Sequence, residues 1–160
     1  MNSRITSCIV AIFVSFILHP IAAHARIGET LPQCETRYGK TVKVTNGYHF
    51  FSKATMSIAC KFINGACEEM CIFHSERDVL RHPTELSEVE IEALLEANSG
   101  GSVWSKGEAP SMTKEWKTAD GLLVAAYFTF EHELVIVTKA EMDRRIAAKA
   151  AEEKAKLKGF

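Results

Sequence analysis

Three cysteines, Cys60, Cys67 and Cys71, fall within the stretch SIACKFINGACEEMCIFHS, and a fourth, Cys34, stands upstream. Thiols at this density ligate metal, run thiol–disulfide exchange, or staple the chain. Structural zinc draws close cysteine pairs on tight turns, whereas Cys67 and Cys71 share a segment that reads as a strand. A thioredoxin-type centre places Cys-x-x-Cys at a helix N-terminus, where the thiolate is stabilised, and no such spacing is present. The reading is therefore a disulfide staple drawn from Cys34, Cys60, Cys67 and Cys71, with no metal and no cofactor. A bridge from Cys34 to Cys60 or Cys71 closes a loop of roughly 26 to 37 residues and is worth about 3–4 kcal/mol in the chain-entropy account.

The histidines offer less. His74 and His82 flank a polar loop with Glu76 and Asp78, a weak metal set at best. Glu131-His132-Glu133 sits where a hairpin tip is expected, and polar residues are ordinary there. No nucleophile elbow, ordered triad or phosphate-binding glycine loop is recognisable. No catalytic residue is assigned and the chain is read as a non-enzyme. The rival from another class is a cell-envelope hydrolase with His74 or His132 as base; a third reading is a purely structural envelope protein.

The elements that must position these residues follow from periodicity. Residues 26–40 read as a short helix, with Thr30 as cap, Pro32 in the first turn and Gly39 as stop. Its Leu31, Cys34 and Tyr38 recur at helical spacing, so Cys34 should face inward. Three strand signals follow: TVKV with GYHFF, TMSIACKFI, and ACEEMCIFH. The last two are joined at Asn64-Gly65, a type I′ hairpin signal. A second helix opens on the capping box Ser87/Glu90, with Leu86 and Ile91 as hydrophobic staple. Three further strand signals are MTKEWKT, LLVAAYFTF and LVIVT. The order is helix–strand–strand–strand, written twice, in units of about 26–78 and 84–138. The expected fold is α+β, with the two αβββ units sharing one antiparallel sheet and the helices on one face. Residues 139–160, rich in Ala, Lys and Glu, read as a charged C-terminal helix capped by Thr138.

A strict two-residue turn sets Cys60 opposite Glu69 and Ile58 opposite Cys71. One face then carries Met56, Ile58, Cys60, Phe62, Cys67, Cys71 and Phe73, so all three strand cysteines point toward the helix. In the second unit, Val124, Ala126, Phe128, Phe130, Val135 and Val137 are assigned to the core. The opposite side collects Trp116, Leu123, Tyr127, Leu134 and Ile136. An apolar outer side of this kind needs a cover, supplied by the C-terminal helix, a second subunit, or a partner. Trp116, Tyr127, Leu134 and Ile136, extended by Lys61, are the candidate binding residues.

The N-terminus reads as an export signal over residues 1–25: Arg4, the apolar run CIVAIFVSFIL, and AHA before Arg26. The run is short for a membrane span. Beyond it the chain has no basic excess, since the whole sequence holds 19 basic and 20 acidic side chains. Nucleic acid is therefore not an expected partner. The expected location is periplasmic or secreted.

The opening IGET…CETRYGK helix, the Gly that follows an aromatic, and the hairpin CKFINGACEEMCIF resemble the β-lactamase-inhibitory-protein-like fold, which includes small outer-membrane-assembly lipoproteins. The resemblance covers the chain from residue 26 to about 138. It departs in lacking a lipobox and in carrying Thr41 where those helices often end in Gly-Pro. It implies a small protein-binding or inhibitor-like module that uses an open sheet face on an envelope or secreted protein, or as a homodimer.

Overall fold

The computed structural model describes residues 27–109 and 112–157; the expected leader over residues 1–25 lies outside them. The fold is α+β: one open antiparallel sheet of eight strands with three helices. Helix α1 (Leu31–Tyr38) precedes β1 (Lys43–Thr45), β2 (Tyr48–Lys53), β3 (Met56–Ile63) and β4 (Ala66–His74). Helix α2 (Glu88–Ala97) precedes β5 (Trp104–Lys106), β6 (Thr113–Thr118), β7 (Leu123–Phe128) and β8 (Glu133–Thr138). Helix α3 (Lys139–Leu157) follows β8 directly. The strand order β1-β2-β3-β4-β8-β7-β6-β5 sets the two units back to back, joined where β4 pairs with β8.

Each unit holds four strands where the sequence pattern shows three. In the first, Asn46-Gly47 is itself a hairpin turn, with φ of 51° and 80°, so TVKV and GYHFF are two strands and not one. In the second, β5 follows the NSGGS exit of α2 and pairs Trp104 with Thr118. Both added strands are short and lie at the sheet edges, where a brief strand limits further pairing.

The helix ends follow their capping chemistry. Gln33 Oε1 accepts from the Thr30 N–H at 2.8 Å, and Gly39 leaves α1 at φ 94°. At α2, Glu90 Oε2 accepts from the Ser87 N–H at 2.8 Å while Ser87 Oγ accepts from the Glu90 N–H at 3.3 Å. These reciprocal bonds satisfy donors that a helix start leaves without partners. Thr138 Oγ1 accepts from the Glu141 N–H at 3.1 Å, so α3 starts within one residue of β8.

Helices α1 and α2 cover one face of the sheet, the inner face. The core there gathers Cys34 and Tyr38 from α1, Leu86, Ile91 and Leu95 at α2, and Phe51, Ile58, Met70, Ile72, Leu134 and Ile136 from the strands.

Candidate functional site

The inner face overturns two side-chain assignments. Tyr127, Leu134 and Ile136 are fully buried and Trp116 keeps only 9% exposure. All four pack in the core with α2, so they are not an open binding face and their cover is α2. The Tyr127 hydroxyl accepts from the Leu86 N–H at 3.2 Å, the arrangement of a core tyrosine that satisfies its polar end. Trp116 and Trp104 edge a cleft of about 500 Å³ between α2 and β5, and the Trp104 indole N–H donates to the Leu95 carbonyl at 2.6 Å. Of the residues assigned to the core, Val137 is buried at 5% exposure, Val124, Ala126 and Val135 are half-buried on the other face, and Phe128 and Phe130 are 37% and 60% exposed.

The signal that separates the two faces lies in β6. Glu115 and Lys117 are exposed and alternate with Trp116 and Thr118, which are buried. Since Trp116 pairs with Ala125 and Ala125 with Ile136, Trp116 carries the whole Leu123–Ala125–Tyr127 set inward.

The second correction concerns β4. Phe62 pairs with Cys67 but Lys61 pairs with Glu69, so Glu68 is an extra residue in a β-bulge. Strict alternation after Cys67 would drive Glu69 into the apolar core opposite Cys60. A carboxylate there costs several kcal/mol without a partner. The bulge turns Glu69 to the outer face and Met70 and Ile72 inward, since one inserted residue reverses every side chain beyond it. Cys60 accordingly faces Met70, while Cys71 faces Ala59 on the outer side. Cys71 cannot share a staple with Cys34, contrary to the reading from strict register.

Cys34, Cys60 and Cys67 do meet. All three are fully buried, and their thiols lie within hydrogen-bonding reach of one another. The four cysteines among the described residues are free thiols in this structure. Hydrogen bonds from Cys60 and Cys67 hold the Cys34 thiol below its ordinary range, against burial and with help from Arg37. The hydrogen bond with Cys34 pushes Cys60 and Cys67 upward. Arg37 Nε also donates to Glu29 Oε1 at 3.1 Å, and Glu29 Oε2 stands 3.9 Å from Cys34 Sγ.

The histidines are separated. His74 Nε2 lies 3.3 Å from Glu90 Oε1 on α2, and His132 Nδ1 lies 2.7 Å from the Pro83 carbonyl. The His82 ring meets the Phe130 ring edge-on at 5.2 Å. Asp78 Oδ1 accepts from the Leu80 and His82 N–H groups, which accounts for its place in the polar loop. Among the described residues no group of three or more His, Cys, Asp or Glu is arranged to hold a metal ion.

The outer face is the candidate site. Pairing and alternation set Tyr48 and Phe50 on β2, Ala59 on β3, Cys71 and Phe73 on β4, Val135 on β8, and Ala126 and Phe128 on β7 on this side. Apart from buried Ala59 and exposed Phe128, these side chains are half-buried, and among the described residues no helix lies across them. Tyr48, Phe50, Ala59, Cys71, Phe73 and Glu133 line a hollow of about 310 Å³. Burial pushes the Glu133 carboxyl above its ordinary range and the Cys71 thiol likewise. Sequence periodicity missed this strip because the strict register of β4 hid Cys71 and Phe73.

One end of the strip is closed by charge. Glu141 in the first turn of α3 is 3% exposed and receives Lys61 Nζ, Arg144 Nε and Arg145 Nε, each at 3.0 Å. Burial alone would raise the Glu141 carboxyl, but the hydrogen bonds from these three cations hold it at about 2. Arg145 reaches on to Glu69, which also accepts from the Tyr48 hydroxyl at 2.6 Å, and Arg144 reaches Glu68. Lys61 is thus committed to α3 rather than free on a binding surface. Beyond this turn α3 leaves the sheet: Ile146 and Leu157 are 60% and 70% exposed.

No protein-family model and no curated protein matches the chain. Among solved structures it is similar to a cysteine-rich secretory protein from Staphylococcus aureus, with 10% identity and a TM-score of 0.39 over 72% of this chain and 46% of that one. The chain thus spans just under half the length of that protein. Among the described residues no helix is long and apolar enough to cross a membrane.

Proposed function

We propose that this chain is a small exported binding module that holds a protein partner on its outer sheet face and catalyses nothing. The observation that carries this reading is the half-exposed strip of Tyr48, Phe50, Phe73, Val135, Ala126 and Phe128. It runs over strands from both units, without a covering element among the described residues. An apolar strip of that extent, edged by charge, is the anatomy of a contact surface with an apolar centre and a polar rim. The repeated helix-then-strands plan, with the units meeting at β4 and β8, supports kinship with the β-lactamase-inhibitory-protein-like fold. The segment over residues 1–25 supports export to the periplasm or beyond.

A photo-crosslinking amino acid placed at position 135 in cells tests the reading, with position 89 on the exposed side of α2 as control. The expected result is a discrete protein adduct from position 135 and none from position 89. Adding Phe50→Ser and Phe128→Ser should lower the adduct at least tenfold while far-UV circular dichroism stays unchanged. An adduct of twice the chain mass would assign the face to a second copy. No adduct from 135, or equal adducts from both positions, would sink the proposal.

A further inference from the structure

The four cysteines of the described chain do not form two pairs; they divide into three and one. Cys34 comes from α1, Cys60 from β3, and Cys67 from the start of β4, and the three are buried in one core cluster where each thiol is a hydrogen-bonding neighbour of the other two, with Cys34 Sγ 3.9 Å from Glu29 Oε2. The chain is tied down around them. The Gly28 N–H donates to the Cys67 carbonyl at 2.7 Å and the Cys67 N–H to the Glu29 carbonyl at 2.8 Å, so residues 27–30 lie along β4 beside the cluster. Cys71 is separated from this group by the sheet itself, because the bulge at Glu68 turns it to the outer face.

We infer that Cys34, Cys60 and Cys67 form a thiol–disulfide exchange centre that holds one disulfide per chain, shared by Cys34 between Cys60 and Cys67, with Cys71 outside it. Three mutually close thiols can hold only one bond among them, and the one left over is already placed to attack it. The depressed Cys34 thiol, next to Arg37, is the one best supplied with thiolate.

The chemistry balances with a small-molecule disulfide such as glutathione disulfide as oxidant. The Cys34 thiolate attacks one glutathione sulfur, the glutathione S–S bond breaks, and one glutathione thiolate leaves and takes up a proton. A mixed disulfide at Cys34 remains. The thiolate of Cys60 or Cys67 then attacks Cys34 Sγ, and the second glutathione leaves as a thiol. Two protein thiols have lost two protons and two electrons, and glutathione disulfide has gained them. Transfer of the bridge between Cys60 and Cys67 then needs no oxidant, since one S–S bond forms as the other breaks. As all three sulfurs are fully buried, the first attack requires α1 to lift or precedes its docking.

The test equilibrates the purified protein in a mixture of reduced and oxidised glutathione, quenches with acid, blocks free thiols with N-ethylmaleimide, and maps the linkages without reduction. Cleavage after Glu68 or Glu69 separates Cys67 from Cys71. The expected map has one disulfide per chain, present as both Cys34–Cys60 and Cys34–Cys67, and a blocked Cys71. Cys60→Ser should move the whole bridged population to Cys67, Cys67→Ser should move it to Cys60, and Cys71→Ser should leave the map unchanged. Two bridges per chain, any bridge from Cys71 within the chain, or a single wild-type linkage after equilibration would overturn the inference. The wild-type map decides the matter even where a serine variant fails to fold.

Discussion

The sheet has two apolar faces, and only one of them is a core. On the inner face Tyr127, Leu134 and Ile136 are sealed under α2, and Phe51, Ile58 and Met70 share the core with α1. On the outer face Tyr48, Phe50, Phe73, Val135 and Phe128 are of similar chemistry, yet no helix of the described residues lies across them. The cover is what differs. Helix α2 brings Ile91 and Leu95 into the core, with Leu86 just before its cap. Helix α3 brings Glu141, Arg144 and Arg145, which lock to Lys61, Glu68 and Glu69 before the helix leaves. Burial of an apolar side chain stabilises the fold in proportion to the area taken from water. The inner face therefore carries the stability, and the outer face leaves apolar surface partly in water.

The largest effect should come from cutting into the inner face. Tyr127→Ala leaves a cavity and strips the Leu86 N–H of its acceptor, so urea unfolding should show a loss of about 3–5 kcal/mol. Leu134→Ala should lose about 2–5 kcal/mol. If either is tolerated with a loss below about 1 kcal/mol, the contrast between the faces is broken. Next comes the charged clamp. The Glu141 carboxyl titrates at about 2 in the folded chain against an ordinary 4.5. Its contribution is therefore fully present above pH 4.5 and is lost as the pH falls toward 2, with a ceiling on the order of 3 kcal/mol. Glu141→Gln should flatten that acid limb in a stability–pH profile.

Smaller effects sharpen the comparison. Ser87→Ala removes the cap of α2, the inner cover, and should cost about 1 kcal/mol. On the outer face, Phe128→Ser should change stability by less than about 1 kcal/mol, because 37% of the side chain is already in water. Glu133→Gln is the finest probe. Burial raises this carboxyl's pKa, so its ionised form destabilises the fold. The glutamine variant should be the more stable at neutral pH, and the gain should fade as the pH drops and the wild-type carboxyl takes up its proton. A variant less stable than wild type at pH 7 would mean that the charge at Glu133 is compensated.

Much of the backbone plan is legible from local chemistry. Thr30, Pro32 and Gly39 bound α1, the Ser87/Glu90 box opens α2, and Asn64-Gly65 turns β3 into β4. Each signal acts over a few residues, through a cap or a positive φ. Face assignment was legible only where polar residues alternate cleanly, as Glu115 and Lys117 do beside Trp116. In β7 both sides are apolar, LLVAAYF offering Leu123 and Tyr127 on one and Val124 and Phe128 on the other, so alternation alone cannot say which side is covered. In β4 the pattern CEEMCIF is equally two-sided. The candidate site fell into this blind spot, and Trp116, Tyr127, Leu134 and Ile136 were set on the wrong side for the same reason.

By itself the sequence determined the α+β class, the order of helices and strands apart from the edge strands β1 and β5, the hairpin between β3 and β4, and the inward turn of Cys34, all of which rest on contacts between near neighbours. Tertiary structure decided the rest. The bulge at Glu68 exists because Glu69 needs Tyr48 and Arg145, and Arg145 lies 76 residues further along the chain. That single inserted residue turns Met70 and Ile72 to the core and Cys71 and Phe73 to the surface. It also separates one thiol from the other three. A carboxylate that must not be buried without a partner, satisfied by one distant in sequence, is what chose the face.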